Sequence, residues 1–143
     1  CCQPKEGDKK YLPLINHRCI VETDIRRIPS DEVAGLFESC DYFVMPYQSI
    51  AQSGAMTVAM NYNLPVIASD LDTFHEFIED NETGWFFNAG NTDDLVALME
   101  KLINIPEKEY LRIKSNQSEF VRMNLSIDGI VNKYSNYFNK CLN

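Results

Sequence analysis

The segment Pro46-Tyr47-Gln48-Ser49-Ile50-Ala51-Gln52-Ser53-Gly54 holds the residues of this chain best suited to chemistry. It leaves an apolar run, passes through small and polar residues, and delivers Ser53-Gly54 to a stretch of helical composition. A helix start offers amide N–H groups without intrahelical partners and the positive end of the helix dipole, so it holds an anion without any basic side chain. Gly54 lets an oxyanion come close to the backbone. The chemistry implied is capture of a phosphate. An isolated Ser-Gly also has a plainer explanation, with Ser53 an N-cap and Gly54 a close-packing residue.

Other reactive side chains have simpler accounts. Thr73-x-x-Glu76 matches a capping box, which explains Glu76 better than acid–base catalysis does. His75 beside it reads as a surface or packing residue rather than a general base, and Trp85 as core rather than a stacking platform. Arg26-Arg27 suits a solvated strand end as well as a cleft. Cys1, Cys2, Cys19, Cys40 and Cys141 show no CxxC spacing and no neighbouring His pair, so reduced thiols are expected and a metal site is not.

An anion-binding turn of this kind belongs beyond the carboxyl end of a parallel strand. Tyr42-Phe43-Val44-Met45 and Pro65-Val66-Ile67-Ala68 are continuously apolar, as expected for strands covered on both faces, and residues 53–62 between them suit a buried helix. Together they predict a βαβ unit. Asn81-Glu82-Thr83-Gly84 predicts a turn and Trp85-Phe86-Phe87 a third strand. Upstream, residues 11–15 suit a helix remnant and residues 19–23 a strand. Ser30 is placed to cap a helix from Asp31 whose Val33, Leu36, Phe37 and Cys40 should lie on the sheet.

After Gly90-Asn91 the spacing turns helical, with Leu95, Leu98, Met99 and Leu102 as one stripe and Pro106 opening a second helix. Ser126 caps a last helix whose Ile127, Ile130, Val131, Tyr134, Phe138 and Cys141 should pack as a C-terminal brace. The expected fold class is α/β, a parallel sheet with flanking helices and a helical C-terminal end.

At 143 residues and 45% apolar, the sequence fits one domain with its own core. Its 13 basic residues face 21 acidic ones, a net charge of −8, which excludes nucleic acid as a partner and disfavours anionic membranes. No stretch approaches the roughly 20 apolar residues that span a bilayer, and no signal-peptide pattern opens the chain. A cytoplasmic location is expected, with peripheral attachment to the inner membrane open to the full-length protein. The start at Cys1 suggests a processed or excised piece.

From residue 28 to residue 90 the pieces fall in a recognisable order. They are Ile28-Pro29-Ser30-Asp31-Glu32-Val33, Asp41 through Pro46-Tyr47, Gln52-Ser53-Gly54, Leu64-Pro65-Val66-Ile67-Ala68-Ser69-Asp70, Glu76, and Asn81-Glu82-Thr83-Gly84. This order resembles the family 4 (group 1) glycosyltransferases. Ile130-Val131-x-x-Tyr134-x-x-Tyr137 looks like that family's closing helix.

The resemblance implies a GT-B enzyme, two Rossmann-like domains across a cleft, that transfers a sugar from a nucleotide diphosphate donor without a protein-held metal or other cofactor. Residues 1–143 would be its single C-terminal nucleotide-sugar-binding domain, with the first βα units and the acceptor domain absent. Tyr47, Gln52, Ser53 and Gly54 would bind the donor diphosphate. The acceptor, a glycan or lipid-linked glycan of surface polysaccharide synthesis, would be met through the missing domain. A sheet lacking its first strands would expose an edge open to self-association.

The chain departs from the family at the pair of glutamates that usually contact donor sugar and ribose. Their positions fall on Ile50 and Val58, and a Gln-Ser-Gly version of the loop stands in their place, so no catalytic residue is assigned. That loss sustains the alternative of a non-catalytic Rossmann-like partner or binding module. A receiver-like module is disfavoured because Pro46-Tyr47, not an acceptor Asp, follows Met45.

Overall fold

The computed structural model describes residues 28–141. The chain separates into two compact units, Cys1–Ala34 and Gly35–Asn143, and only residues 28–34 of the first are described. The helix expected at residues 11–15, the strand at 19–23 and Arg26-Arg27 lie outside the described residues.

The elements follow in the order α1 (Ser30–Glu38), β1 (Phe43–Met45), α2 (Gly54–Asn61), β2 (Val66–Ser69) and α3 (Asp72–His75), then β3 (Gly84–Phe87), α4 (Thr92–Ile103), α5 (Glu107–Asn124) and α6 (Ile127–Cys141). The three strands are parallel and lie in sequence order, with Phe43 opposite Val66 and Val66 opposite Gly84. This is the α/β sheet with flanking helices that the sequence predicts. β2 is central and buried along its whole length, which is why its sequence is apolar without alternation.

Successive β2 side chains point to opposite faces and seed two cores. Val66 and Ala68 join Met45, Met56, Ala59, Met60, Phe74 and Ile78 on one face, where α2 packs. Ile67 joins Trp85, Phe87, Leu102 and Ile113 on the other, under α4 and part of α5. Trp85 is core, as expected. The strands come so close at Gly84 that a Cβ there would sit 2.7 Å from the Val66 carbonyl oxygen. Phe37, at the end of α1, stacks between Phe43 and Tyr62 with ring centroids 5.4 Å from each. Leu36 and Cys40, expected on the same face, are exposed instead.

α5 runs across the amino ends of the strands. Tyr110 Oη donates to the Asp41 carbonyl ahead of β1 (3.0 Å), and Gln117 Nε2 to the Leu64 carbonyl ahead of β2 (3.2 Å). Arg112 and Asn116 bind Glu82 and neighbouring carbonyls ahead of β3. The amino side of the sheet is thus closed by one helix.

Two further helical expectations are corrected. Met99 is exposed although Leu95, Leu98 and Leu102 pack inward. The expected brace is α5, not the last helix. α6 is capped as expected, Ser126 Oγ accepting from the Gly129 amide (3.0 Å), and it meets α5 at Gly129, where any Cβ would overlap the Met123 carbonyl oxygen. Beyond that contact Ile127, Ile130, Val131, Tyr134, Phe138 and Cys141 are exposed, with nothing among the described residues covering them. Periodicity reports that a face is apolar but not what it packs against.

The capping box at Thr73 and Glu76 does not form. α3 begins at Asp72 behind an extended Leu71, so Thr73 lies inside the helix and Glu76 at its end. Thr73 Oγ1 donates instead to the Ile50 carbonyl (3.3 Å), tying α3 to the loop after β1.

Candidate functional site

With the amino ends closed by α5, the open side of the sheet is its carboxyl end. There the loop after β1, the first turn of α2, and α3 surround a cavity of about 330 Å³. Its walls are Gln52, Ser53, Gly54 and Thr57 on one side and Thr73, Glu76 and Phe77 on the other. The structure therefore brings together three of the four residues expected to bind an anion. Tyr47 stands apart from this cavity, its ring half-exposed against Phe74 with centroids 6.4 Å apart.

The local sequence explains the shape of the loop. Ser69, buried at the end of β2, donates its hydroxyl to the Tyr47 carbonyl (2.6 Å) and also lies 3.3 Å from that of Met45. It pins the chain as it leaves β1, and Thr73 pins it again at Ile50. Ser53 then turns extended into α2, with φ −134° and ψ 106°. It stands at the N-cap position, yet its side chain makes no capping hydrogen bond, so its hydroxyl is free to face the cavity. Gly54 is not there for packing either, since a Cβ on it would meet nothing within 4 Å.

The electrostatics of the cavity are two-sided. The amides at the start of α2 have no intrahelical partner, and no acidic residue in the first turn of the helix offsets its dipole. Thr57 Oγ1 donates back to the Gly54 carbonyl (2.8 Å), which leaves its oxygen lone pairs but not its proton for a ligand. On the opposite wall Glu76 is the one charged side chain of the lining, and its carboxylate takes no hydrogen bond or ion pair among the described residues. No basic side chain lines the cavity.

Next to this site, at the ends of β2 and β3, His75 Nε2 lies 2.6 Å from Asp70 Oδ1 and its ring lies 4.4 Å from that of Phe86. A carboxylate can only accept, so the bonded nitrogen carries the proton. His75 is a half-exposed surface residue whose ring rests on Phe86, in keeping with its sequence context. A larger hollow of about 420 Å³ lies at the amino ends, between Asp41-Tyr42, the end of α4 and the start of α5. Its two phenols are spent on the carbonyls of Leu102 and Asp41, both 3.0 Å away, which leaves mostly apolar walls. Burial raises the pKa of Tyr42 and of Tyr110, with the neighbouring Asp41 charge adding to both. Size alone does not make it the site, because it lacks free donors and lies away from the strand ends where ligands bind.

Sequence reasoning missed Ser69, Thr57 and Phe77, and gave Glu76 to a cap. A serine closing an otherwise apolar strand was the available signal for Ser69. Nothing local marked the other two. Among the described residues no group of three His, Cys, Asp or Glu side chains is arranged to hold a metal ion.

Residues 23–120 match the family described as Glycosyl transferases group 1. The chain belongs to that family. As a group 1 glycosyltransferase it is 32% identical to the sulfoquinovosyl transferase SQD2 of Arabidopsis thaliana over 95 residues, 64% of this chain and 19% of SQD2. Its fold matches the C-terminal domain of the group 1 glycosyl transferase LpcC from Francisella tularensis, with TM-score 0.63, 22% identity, and coverage of 72% of this chain and 53% of that one. It also matches Anabaena HepE, solved in complex with UDP, with TM-score 0.65, 17% identity, and coverage of 76% and 30%. The chain thus spans about a fifth of the length of the curated relative. No helix among the described residues is long and apolar enough to cross a membrane.

Proposed function

We propose that this chain is the C-terminal, nucleotide-sugar-binding domain of a two-domain glycosyltransferase, which transfers a sugar from a nucleotide diphosphate donor to a glycan or lipid-linked acceptor in surface polysaccharide synthesis. The observation that carries this reading is the cavity itself. In a member of the group 1 family, Gln52, Ser53 and Gly54 converge at the start of α2, on the open carboxyl side of a parallel sheet, with their donors unspent. When the glycosidic bond to the donor phosphate breaks, negative charge builds on the departing nucleoside diphosphate. Fixed N–H and O–H donors at a helix start stabilise that charge without reorganising, which lowers the barrier as well as holding the donor. Tyr47, outside the cavity, would act only on a part of the donor that extends beyond it.

The acceptor would reach this site from a second domain, and the outer edge of β1 would take either the strands of the full-length protein or a second copy of this chain. The HepE complex motivates UDP as the first probe. Titrating the chain with UDP, TDP, GDP and ADP should shift the backbone amide resonances of residues 52–54 for at least one of them. No shift at those amides with any of the four would refute the donor-site reading.

The aliphatic residues at positions 50 and 58 favour one other reading, a family member that binds the nucleotide but has lost transfer. Activity of the full-length protein, with binding intact, separates the two.

A further inference from the structure

We infer that Glu76, with Phe77 beside it, forms the subsite for the sugar of the donor, an inference that rests on the donor-binding reading of the cavity. The cavity is polarised. One wall, the start of α2, presents N–H groups and a positive dipole end and is suited to an anion. The other, carried by α3 and the residues after it, presents a carboxylate without a partner among the described residues and a half-buried aromatic ring. A carboxylate repels phosphate and only accepts hydrogen bonds, so what it takes from a ligand is hydroxyl protons. A phenyl ring takes an apolar face. A pyranose offers both, with hydroxyls around its rim and C–H groups on its faces. An anion joined to a polyhydroxylated ring, the form of a sugar phosphate ester, therefore matches the two walls in order.

The backbone that carries the exposed Glu76 side chain is anchored to the core. The Glu76 N–H bonds the Phe74 carbonyl, Phe74 is buried in the core, and the Thr73 hydroxyl holds α3 to Ile50 in the loop that leads to Ser53. That bond links the two walls of the cavity. In this chain a carboxylate from α3 thus serves a cavity whose other wall, from Ile50 to Val58, carries none.

The test compares UDP with UDP-glucose on the wild-type chain, on Glu76→Ala and on Glu76→Gln, by calorimetry, with melting curves on each. Glu76→Ala should weaken UDP-glucose about ten- to a hundredfold, the range of a charge-assisted hydrogen bond. The same variant should leave UDP unchanged or bind it more tightly, because a negative charge near the diphosphate has gone. Glu76→Gln keeps an acceptor oxygen and should lose only a few-fold for UDP-glucose. Equal losses for both ligands, or no loss for either, would overturn the sugar subsite while leaving the diphosphate site standing. Failure of the wild-type chain to bind either ligand would refute the use of this cavity for these donors, and the sugar subsite with it.

Discussion

Gly54→Val separates ligand chemistry from packing more sharply than any other single change in this chain. A Cβ at position 54 meets nothing within 4 Å, and Gly54 does not sit at a positive φ, so valine fits the protein as it stands. In the first turn of α2 glycine is a poor helix former, by about 1 kcal/mol against alanine, and valine is better. Replacement also narrows the unfolded ensemble, so stability should change by no more than about 1 kcal/mol, in the favourable direction. The melting midpoint should move by a few degrees at most.

The ligand meets a different situation. The open space that admits the valine methyls belongs to the cavity walled by Gln52, Ser53 and Gly54, and a phosphate must approach the amides to about 3 Å to use them. Two charge-assisted bonds lost, at about 1.5–3 kcal/mol each, weaken binding on the order of a hundredfold or more. Calorimetric titration with the best-bound nucleoside diphosphate, beside a melting curve on the same sample, reads both quantities. Undiminished affinity in a well-folded Gly54→Val protein would refute the phosphate cradle. A fall in both affinity and melting midpoint would show that the open space beside Gly54 is not what governs the variant.

Other outcomes follow from the same geometry. Ser53→Ala should cost less than tenfold in nucleotide affinity and little in melting, because Ser53 makes no capping bond and the backbone donors remain; this is read in the same titration. Gly84→Ala should destabilise the fold by about 1–3 kcal/mol in urea unfolding, since its Cβ would press on the Val66 carbonyl from 2.7 Å, and unchanged stability would contradict the strand contact. Tyr42 and Tyr110, with pKa values raised above the ordinary 10.0, should ionise late in a phenolate absorbance titration. Since the unfolded chain ionises first, the stability they contribute is complete below pH 10 and lost as pH rises through their folded values. The chain alone should bind donor without turning it over, as judged by release of nucleoside diphosphate against a buffer control.

Much of the fold was legible because burial on both sides leaves a plain mark. Val66-Ile67-Ala68 admits no alternation, and the Ala- and Met-rich stretch after Gly54 could only be a helix held between layers. The order of the pieces then placed the Gln52-Ser53-Gly54 loop after a strand end, and the structure has it there, between β1 and α2. What failed were inferences from local spacing about distant partners. Thr73 and Glu76 have the separation of a capping box, but Leu71 is extended and the helix starts two residues too early for Thr73 to cap it. The hydroxyl went to Ile50, a residue far off in sequence, for which no local pattern exists. The stripe on α6 was read correctly as apolar and wrongly as covered.

The misread cap bears directly on function. A capping glutamate is consumed by the backbone, whereas Glu76 is left facing a cavity, and the same displacement that frees it uses Thr73 to fasten α3 to the loop after β1. Hydrogen-bonding capacity is thereby divided by place. On the amino side α5 satisfies the carbonyls ahead of the strands through Tyr110, Arg112, Asn116 and Gln117. On the carboxyl side Ser69 and Thr73 satisfy only the loop carbonyls, and leave the α2 amides, the Ser53 hydroxyl and the Glu76 carboxylate for a ligand. A ligand that draws on both walls has to carry negative charge and hydroxyl protons together. The closed amino side offers no such pairing, even where its hollow is larger.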